Sequence, residues 1–371
     1  VLILIHLLIA IHMRHPRQKL PLISSDPLEV VMRRAGAEES RHAVDIALVD
    51  SDGAVLLGLG DIERPIFARS AMKPLQAIAL AEKLNDSPAH QQLCAAEMSL
   101  ICASHNGQIY HSETVQKLLG KFDLSPDLLA CAPHWSLDEV TLIEQARRID
   151  RPACIHNNCS GKHAGMLVLG KLMDVPLAGY ADISHPVQQT ILGVLEVMTG
   201  TDLMQFTHGI DGCGAPAPSA PLGNWARGFA MFADAEALSA KRAAACADLR
   251  ESIAGEPMMI AGDRRLCSAL ARAFGSKITA KVGAEGVYGA AFNELGLGVM
   301  MKVRDGNRRA VEIAIGAVIH LLGYDIPADL VPYFAPTVKN WASDEVGDFI
   351  VEGAIVGVNG DIVTTPNMDG Q

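Results

Sequence analysis

Apolar and polar residues alternate along Val44-Asp45-Ile46-Ala47-Leu48-Val49, break at Asp52-Gly53 and resume over Ala54-Val55-Leu56-Leu57-Gly58. A period of two interrupted by a turn pair predicts a β-hairpin. Between residues 74 and 274 the period becomes helical, and helices are predicted over 74–85, 89–102, 110–121, 136–148, 161–173, 185–199, 234–253 and 264–274. Two of them carry start signals: Ser136 with Glu139 three residues on, and Pro186 in a first turn. Strands return at 277–282, 286–292 and 297–303, followed by a helix at 308–323 and a last strand pair around 349–364. Strands at both ends around a helical middle predict an α+β protein. Its sheet lobe is read as 27–73 plus 275–371, built from both termini, and its inserted helical lobe as 74–274, with an active site between them.

Composition changes this picture little. A chain of 371 residues with 49% hydrophobic and 5% aromatic residues can bury a large core, and disorder is not expected. The formal net charge of -11 leaves no basic stripe for a phosphate backbone, so nucleic acid is not an expected partner. The apolar run Val1 to His12 is shorter than the ~20 residues that span a bilayer, and Arg14, Arg17 and Lys19 follow it where a secretory signal would place basic residues in front. Residues 1–26 are therefore read as an extension outside the fold, a scar or upstream translation with Met13 or Met32 as the start. No membrane contact is expected. Eight cysteines lack a regular framework, which points to a reduced, cytoplasmic protein. Cys94, Cys102, Cys131, Cys154, Cys246 and Cys267 read as packing residues.

The chemistry gathers at predicted element boundaries. Arg69-Ser70-Ala71-Met72-Lys73-Pro74 sets a hydroxyl and an amine three residues apart where a helix begins, so that both share one face. A lysine kept neutral by burial or by a second cation can take the serine proton, and free N–H groups at a helix start can stabilise an oxyanion. Four further stretches are rich in reactive or turn residues: Cys102 to Gly107, Asn157 to His163, Gly209 to Pro216 and Lys281 to Gly286. Gly and Asn clusters also serve ordinary turns, but loops at element ends are where scaffolds place functional groups.

Taken together and in order, Ser70-x-x-Lys73, Ser104-His105-Asn106, Cys159-x-x-Lys162, Asp211-Gly212-Cys213-Gly214 and Lys281-Val282-Gly283 resemble the Rhizobium etli-type L-asparaginase family. The resemblance spans roughly residues 27 to 365 and implies a fold like that of serine β-lactamases and glutaminases. It implies two serine-lysine tandems, Ser70 with Lys73 and Ser104 with Lys281. For the second lysine Lys277 is the alternative, and the Lys-Val-Gly strand favours Lys281. The resemblance further implies a Zn²⁺ ion held by Cys159, Lys162 and Cys213, a homodimer, and hydrolysis of L-asparagine to L-aspartate and ammonia. In that reading Ser70 is the nucleophile, Lys73 its base, and Ser104 with Lys281 the proton relay.

Substrate selectivity needs partners for an α-ammonium and an α-carboxylate. Asp211 is the candidate for the first and Arg69 for the second, with His105 and Asn106 nearby. His105 and His163 flank these motifs and could ligate a metal or bind substrate, or serve as hydrogen-bonded structural residues. Two other readings stand beside this one: a β-lactamase or penicillin-recognising acyl hydrolase, although the chain has no Ser-Asp-Asn or Lys-Thr-Gly, and a non-catalytic amino-acid or zinc sensor on the same fold.

Overall fold

The computed structural model describes residues 20–88 and 91–355. The run Val1 to His12, Met13, the first two residues of the helix predicted at 89–102 and the part of the last strand pair beyond 355 lie outside the described residues. Twelve strands are described: β1 (Leu22–Ser24), β2 (Leu28–Arg34), β3 (Ala37–Asp50), β4 (Val55–Leu59), β5 (Pro65–Phe67), β6 (His208–Ile210), β7 (Pro216–Pro221), β8 (Ile278–Val282), β9 (Val287–Phe292), β10 (Leu297–Val303), β11 (Val338–Lys339) and β12 (Glu345–Glu352). The longer helices are α1 (Lys73–Asn85), α2 (Ala95–Ile101), α3 (Ile109–Lys121), α4 (Glu139–Arg148), α5 (Ser160–Leu172), α6 (Pro186–Thr199), α7 (Leu222–Ala233), α8 (Ala240–Gly255), α9 (Leu266–Phe274) and α10 (Arg308–Leu321).

The protein is a mixed α/β molecule around a sheet of nine strands, in the order β11-β12-β2-β3-β10-β9-β8, with β4 on β3 and β1 on β4. Its described pairings are antiparallel except that of β1 with β4. Register puts Val49 of β3 opposite Gly298 of β10, and Lys281 of β8 opposite Gly289 of β9. The two ends of the chain thus share one sheet.

The alternation read at Val44–Val49 does not survive as an inside and an outside, because Val44 to Asp50 are all buried. α7 packs on β3, β9 and β10, and α10 also packs on β3, β9 and β10. A strand covered on both faces buries its polar positions too. Asp45, 0% exposed, is the example: its carboxylate accepts hydrogen bonds from Arg64 at 2.7 Å and Arg304 at 2.8 Å.

Three expectations need correction. α7 and β2 were not foreseen, and the helix read at 234–253 begins at Ala240, because Ser239 accepts a hydrogen bond from the Arg242 N–H and caps it there. Ser136 does not cap α4; Asp138 does, accepting from the Thr141 N–H, while Ser136 donates to the Asn106 carbonyl. The helix read from 89 forms only over Ala95–Ile101 among the described residues.

Candidate active site

The chain leaves β5 through Arg69, whose φ of 51° is a left-handed value uncommon for a residue with a side chain. A 3₁₀ turn, Arg69–Met72, then runs directly into α1, with Pro74 in the first turn where its missing N–H costs nothing. Ser70, on this turn, is half-buried. The turn rests on β8 and β9. Gly283 permits the approach, since a Cβ there would stand 2.8 Å from the Ala68 carbonyl oxygen. The serine is therefore fixed at the end of the strand that carries Lys281.

Ser104 lies between two buried lysines. Lys73 Nζ is 2.9 Å and Lys281 Nζ 2.8 Å from its Oγ, and the two lysines are 1% and 0% exposed. Lys73 also donates to the Ala103 carbonyl at 2.5 Å and to Cys159 Sγ at 3.1 Å. Three acceptors for three N–H groups describe an ammonium. Among the described residues no hydrogen bond joins Lys73 to Ser70, so the expected first tandem is present as neighbours along the chain and not as a bonded pair. Burial, with some help from the Lys73 and Arg265 charges and against the pull of Cys267, brings the Lys281 amine down to about 7. Lys277, the alternative, is exposed and paired with Glu294 at 3.2 Å.

Cys159 is the N-cap of α5 and Lys162 lies in its first turn, while Cys213 comes from the loop between β6 and β7. Gly161 lets this helix start press against α2, since a Cβ there would be 2.4 Å from the Leu100 carbonyl oxygen. Lys162 Nζ donates to Cys213 Sγ at 3.0 Å, as Lys73 Nζ does to Cys159 Sγ at 3.1 Å. The neighbouring Cys213 thiol, followed by the Lys73 and Lys162 ammonium groups, outweighs burial and holds the Cys159 thiol well below its usual range. The same neighbour, with burial, pushes Cys213 up. Two sulfurs and an amine thus converge in one buried spot with a thiolate already favoured. That donor set fits a borderline-soft divalent cation, with the ammonium groups now balancing the charge that such an ion would balance.

Asp211, two residues before Cys213, accepts from Arg69 at 2.8 Å. Burial raises its carboxyl, but Lys162 first, then Arg69 and the Gly212 N–H, overcome this and hold it below the ordinary value. Arg69 and Asp211 are therefore each other's partner at the mouth of the site. His105 is enclosed: Nε2 faces Ser160 Oγ at 3.0 Å, Nδ1 accepts from the Gly107 N–H at 3.0 Å, and burial keeps the ring neutral. Its polar atoms have no capacity left for a substrate. Asn106, 1% exposed, spends its amide on the Asp263 carbonyl and on Arg265. His163 Nδ1 meets the Tyr180 hydroxyl at 2.7 Å, and its Nε2 is buried without a partner. All eight cysteines are unpaired. Sequence reasoning missed Arg265 and the bond between Lys73 and Cys159. Arg265 lay inside the helix read over 264–274, which in fact begins only at Leu266.

A second hydroxyl held by two buried amines, one of them three residues from a serine at a helix start, is a set that can move protons to and from an acyl centre, the chemistry of amide and ester hydrolases. The chain belongs to the L-asparaginase II family, whose model matches residues 30–351. No curated protein matches it. Among solved structures, a putative beta-lactamase from Bacteroides dorei DSM 17855 aligns over 76% of this chain and 86% of its own, with 10% identity and a TM-score of 0.36. At that level of agreement nothing is carried over from it. No helix among the described residues is long and apolar enough to cross a membrane.

Proposed function

We propose that the protein is an L-asparaginase of the Rhizobium etli type, cleaving the side-chain amide of L-asparagine through an ester on Ser70. The observation that supports this most is Ser104 Oγ suspended between Lys281 and Lys73, the lysine three residues on from Ser70, in a chain of this family. Above pH ~7 Lys281 holds a lone pair. Lys73 can then pass a proton to Ser104 Oγ while the Ser104 proton moves to Lys281, which leaves Lys73 neutral and able to take the Ser70 proton. Ser70 Oγ attacks the amide carbon, and the collapse of the tetrahedral centre breaks the C–N bond. The nitrogen leaves as ammonia with a proton returned by the same relay, and water hydrolyses the β-aspartyl ester by the reverse path. The Ser70 N–H is the candidate oxyanion donor of this turn, since that of Ala71 is already bonded to the Ala68 carbonyl. Asp211, held anionic, is the partner for the substrate α-ammonium: Arg69 and the Gly212 N–H both bond its Oδ1, which leaves Oδ2.

Cys159, Cys213 and Lys162 would hold a zinc ion. When bound it would supply positive charge and Lewis acidity beside the substrate's polar groups. The domain division at residues 74 and 274, a homodimer and a cytoplasmic location belong to the same proposal. The test is ammonia release from L-asparagine and L-glutamine beside hydrolysis of a chromogenic β-lactam. Turnover of L-asparagine is the expected result; turnover of the β-lactam alone would replace this reading with the acyl hydrolase.

A further inference from the structure

Arg69 is committed to Asp211, which leaves the carboxylate of an amino-acid substrate without its expected partner. Arg265 offers one. It is the residue before α9, half-buried, and Nη1 donates to Asn106 Oδ1 at 2.7 Å. Asn106 is itself pinned, with Nδ2 donating to the Asp263 carbonyl at 3.0 Å and the backbone N–H to the Ala261 carbonyl at 2.9 Å. The guanidinium is thus oriented by a neutral amide. Among the described residues it has no carboxylate partner in hydrogen-bond range, and although burial lowers its pKa, its Nε and Nη2 are neither bonded nor fully enclosed. An oriented guanidinium with free donors is suited to a carboxylate.

Its place relative to the chemistry follows from the backbone. The N–H groups of Ser104 and Asn106 donate to the Ile260 and Ala261 carbonyls, while that of His105 points the other way, to Asn158. Alternation of this kind marks extended chain, so Ser104 and Asn106 project from the same face, about 7 Å apart. In asparagine the amide carbon and the carboxylate carbon are separated by Cβ and Cα, about 4 Å, and a hydrogen bond adds about 3 Å. The reach matches. Lys281, bonded to Ser104, also feels the Arg265 charge.

We infer that Arg265, held by Asn106, binds the α-carboxylate of the substrate and makes the site specific for amides that carry a free carboxylate. This rests on the asparaginase reading and names its specificity residue. The test compares L-asparagine with β-alaninamide, which lacks only the α-carboxylate, in the wild type, Arg265→Met and Arg265→Lys. The wild type should favour L-asparagine by about 100-fold in kcat/KM, the worth of a charge-assisted hydrogen-bonded contact. Arg265→Met should lose about that factor on L-asparagine, mostly through KM, and stay within about threefold on β-alaninamide; Arg265→Lys should recover part of the loss. Equal losses on both amides, or a wild type that does not distinguish them, would overturn the inference while leaving the asparaginase reading intact. If Arg265→Met does not fold, Arg265→Lys and the wild-type ratio decide the question in the same way. A wild type that releases ammonia from neither amide would overturn both.

Discussion

At the scale of residues, the site turns on one unusual amine. Lys281 is 0% exposed and titrates near 7, because burial penalises its charge more than Cys267 stabilises it. Its folded pKa lies below the unfolded value of about 10.4, so between those limits the unfolded chain binds a proton that the folded chain does not, and stability rises with pH across that window. Below pH ~7 the folded protein carries the whole penalty of a buried charge. Lys281→Met should therefore stabilise the protein, more at pH 6 than at pH 9, in urea midpoints measured at both. The wild type should show a rise of kcat/KM through pH ~7 that the same substitution removes, with a loss of about 100-fold or more if the relay acts as one unit. A wild-type profile that is flat between pH 6 and 8 would count against the relay. Ser70 and Lys73 were legible because their spacing is local. The acceptors that Lys73 finds, at residues 103, 104 and 159, were not, because nothing local encodes contacts across such separations. Lys277 and Lys281 could not be told apart by period, being four residues apart. The structure separates them because Lys277 sits in the 3₁₀ turn before β8, in water, and Lys281 inside the strand.

At the scale of elements, the sheet accepts α7 only because glycines line the contact. A Cβ on Gly298 would lie 2.1 Å from the Ala230 backbone nitrogen and 2.2 Å from the Ala226 carbonyl oxygen, and one on Gly289 2.2 Å from Phe229 Cε2. Backbone cannot yield as a side chain can. Gly298→Ala should cost about 3 kcal/mol or more, read as a lowered midpoint in chemical unfolding, whereas an Ala at Gly120, which meets nothing within 4 Å, should be neutral or mildly stabilising. An unchanged midpoint for Gly298→Ala would mean that α7 does not sit so close. These glycines also show why the α7 region was missed. Leu222–Ala233 holds Gly223, Gly228 and a preceding Pro221, which resemble loop punctuation. Here Pro221 precedes the first turn and Gly228 serves close packing, since a Cβ there would meet Leu75 Cδ1 at 2.9 Å. The hairpin of β3 and β4, by contrast, is a local pattern with a local turn, and it was read with its partner correct.

At the scale of the whole molecule, both ends of the chain meet in one sheet and the helices between them bring Cys159, Lys162, Asp211 and Cys213 to the same neighbourhood as Ser70, Lys73, Ser104 and Lys281. The order of motifs along the chain pointed to an asparaginase family before any of these contacts could be seen, and the family match bears out that coarser reading. It did not reveal that Arg69 pairs with Asp211, or that Asn106 holds Arg265, because each pairing depends on how distant loops are aimed. The central claim is that Ser70 carries the acyl group. Acid quenching during turnover of L-asparagine, followed by peptide mapping by mass spectrometry, tests it most directly. A β-aspartyl ester on the peptide containing Ser70, absent from a folded Ser70→Ala variant whose ammonia release has fallen by about 1,000-fold or more, is the result predicted. An ester on Ser104 instead, or a Ser70→Ala variant within about threefold of wild-type turnover, would contradict it.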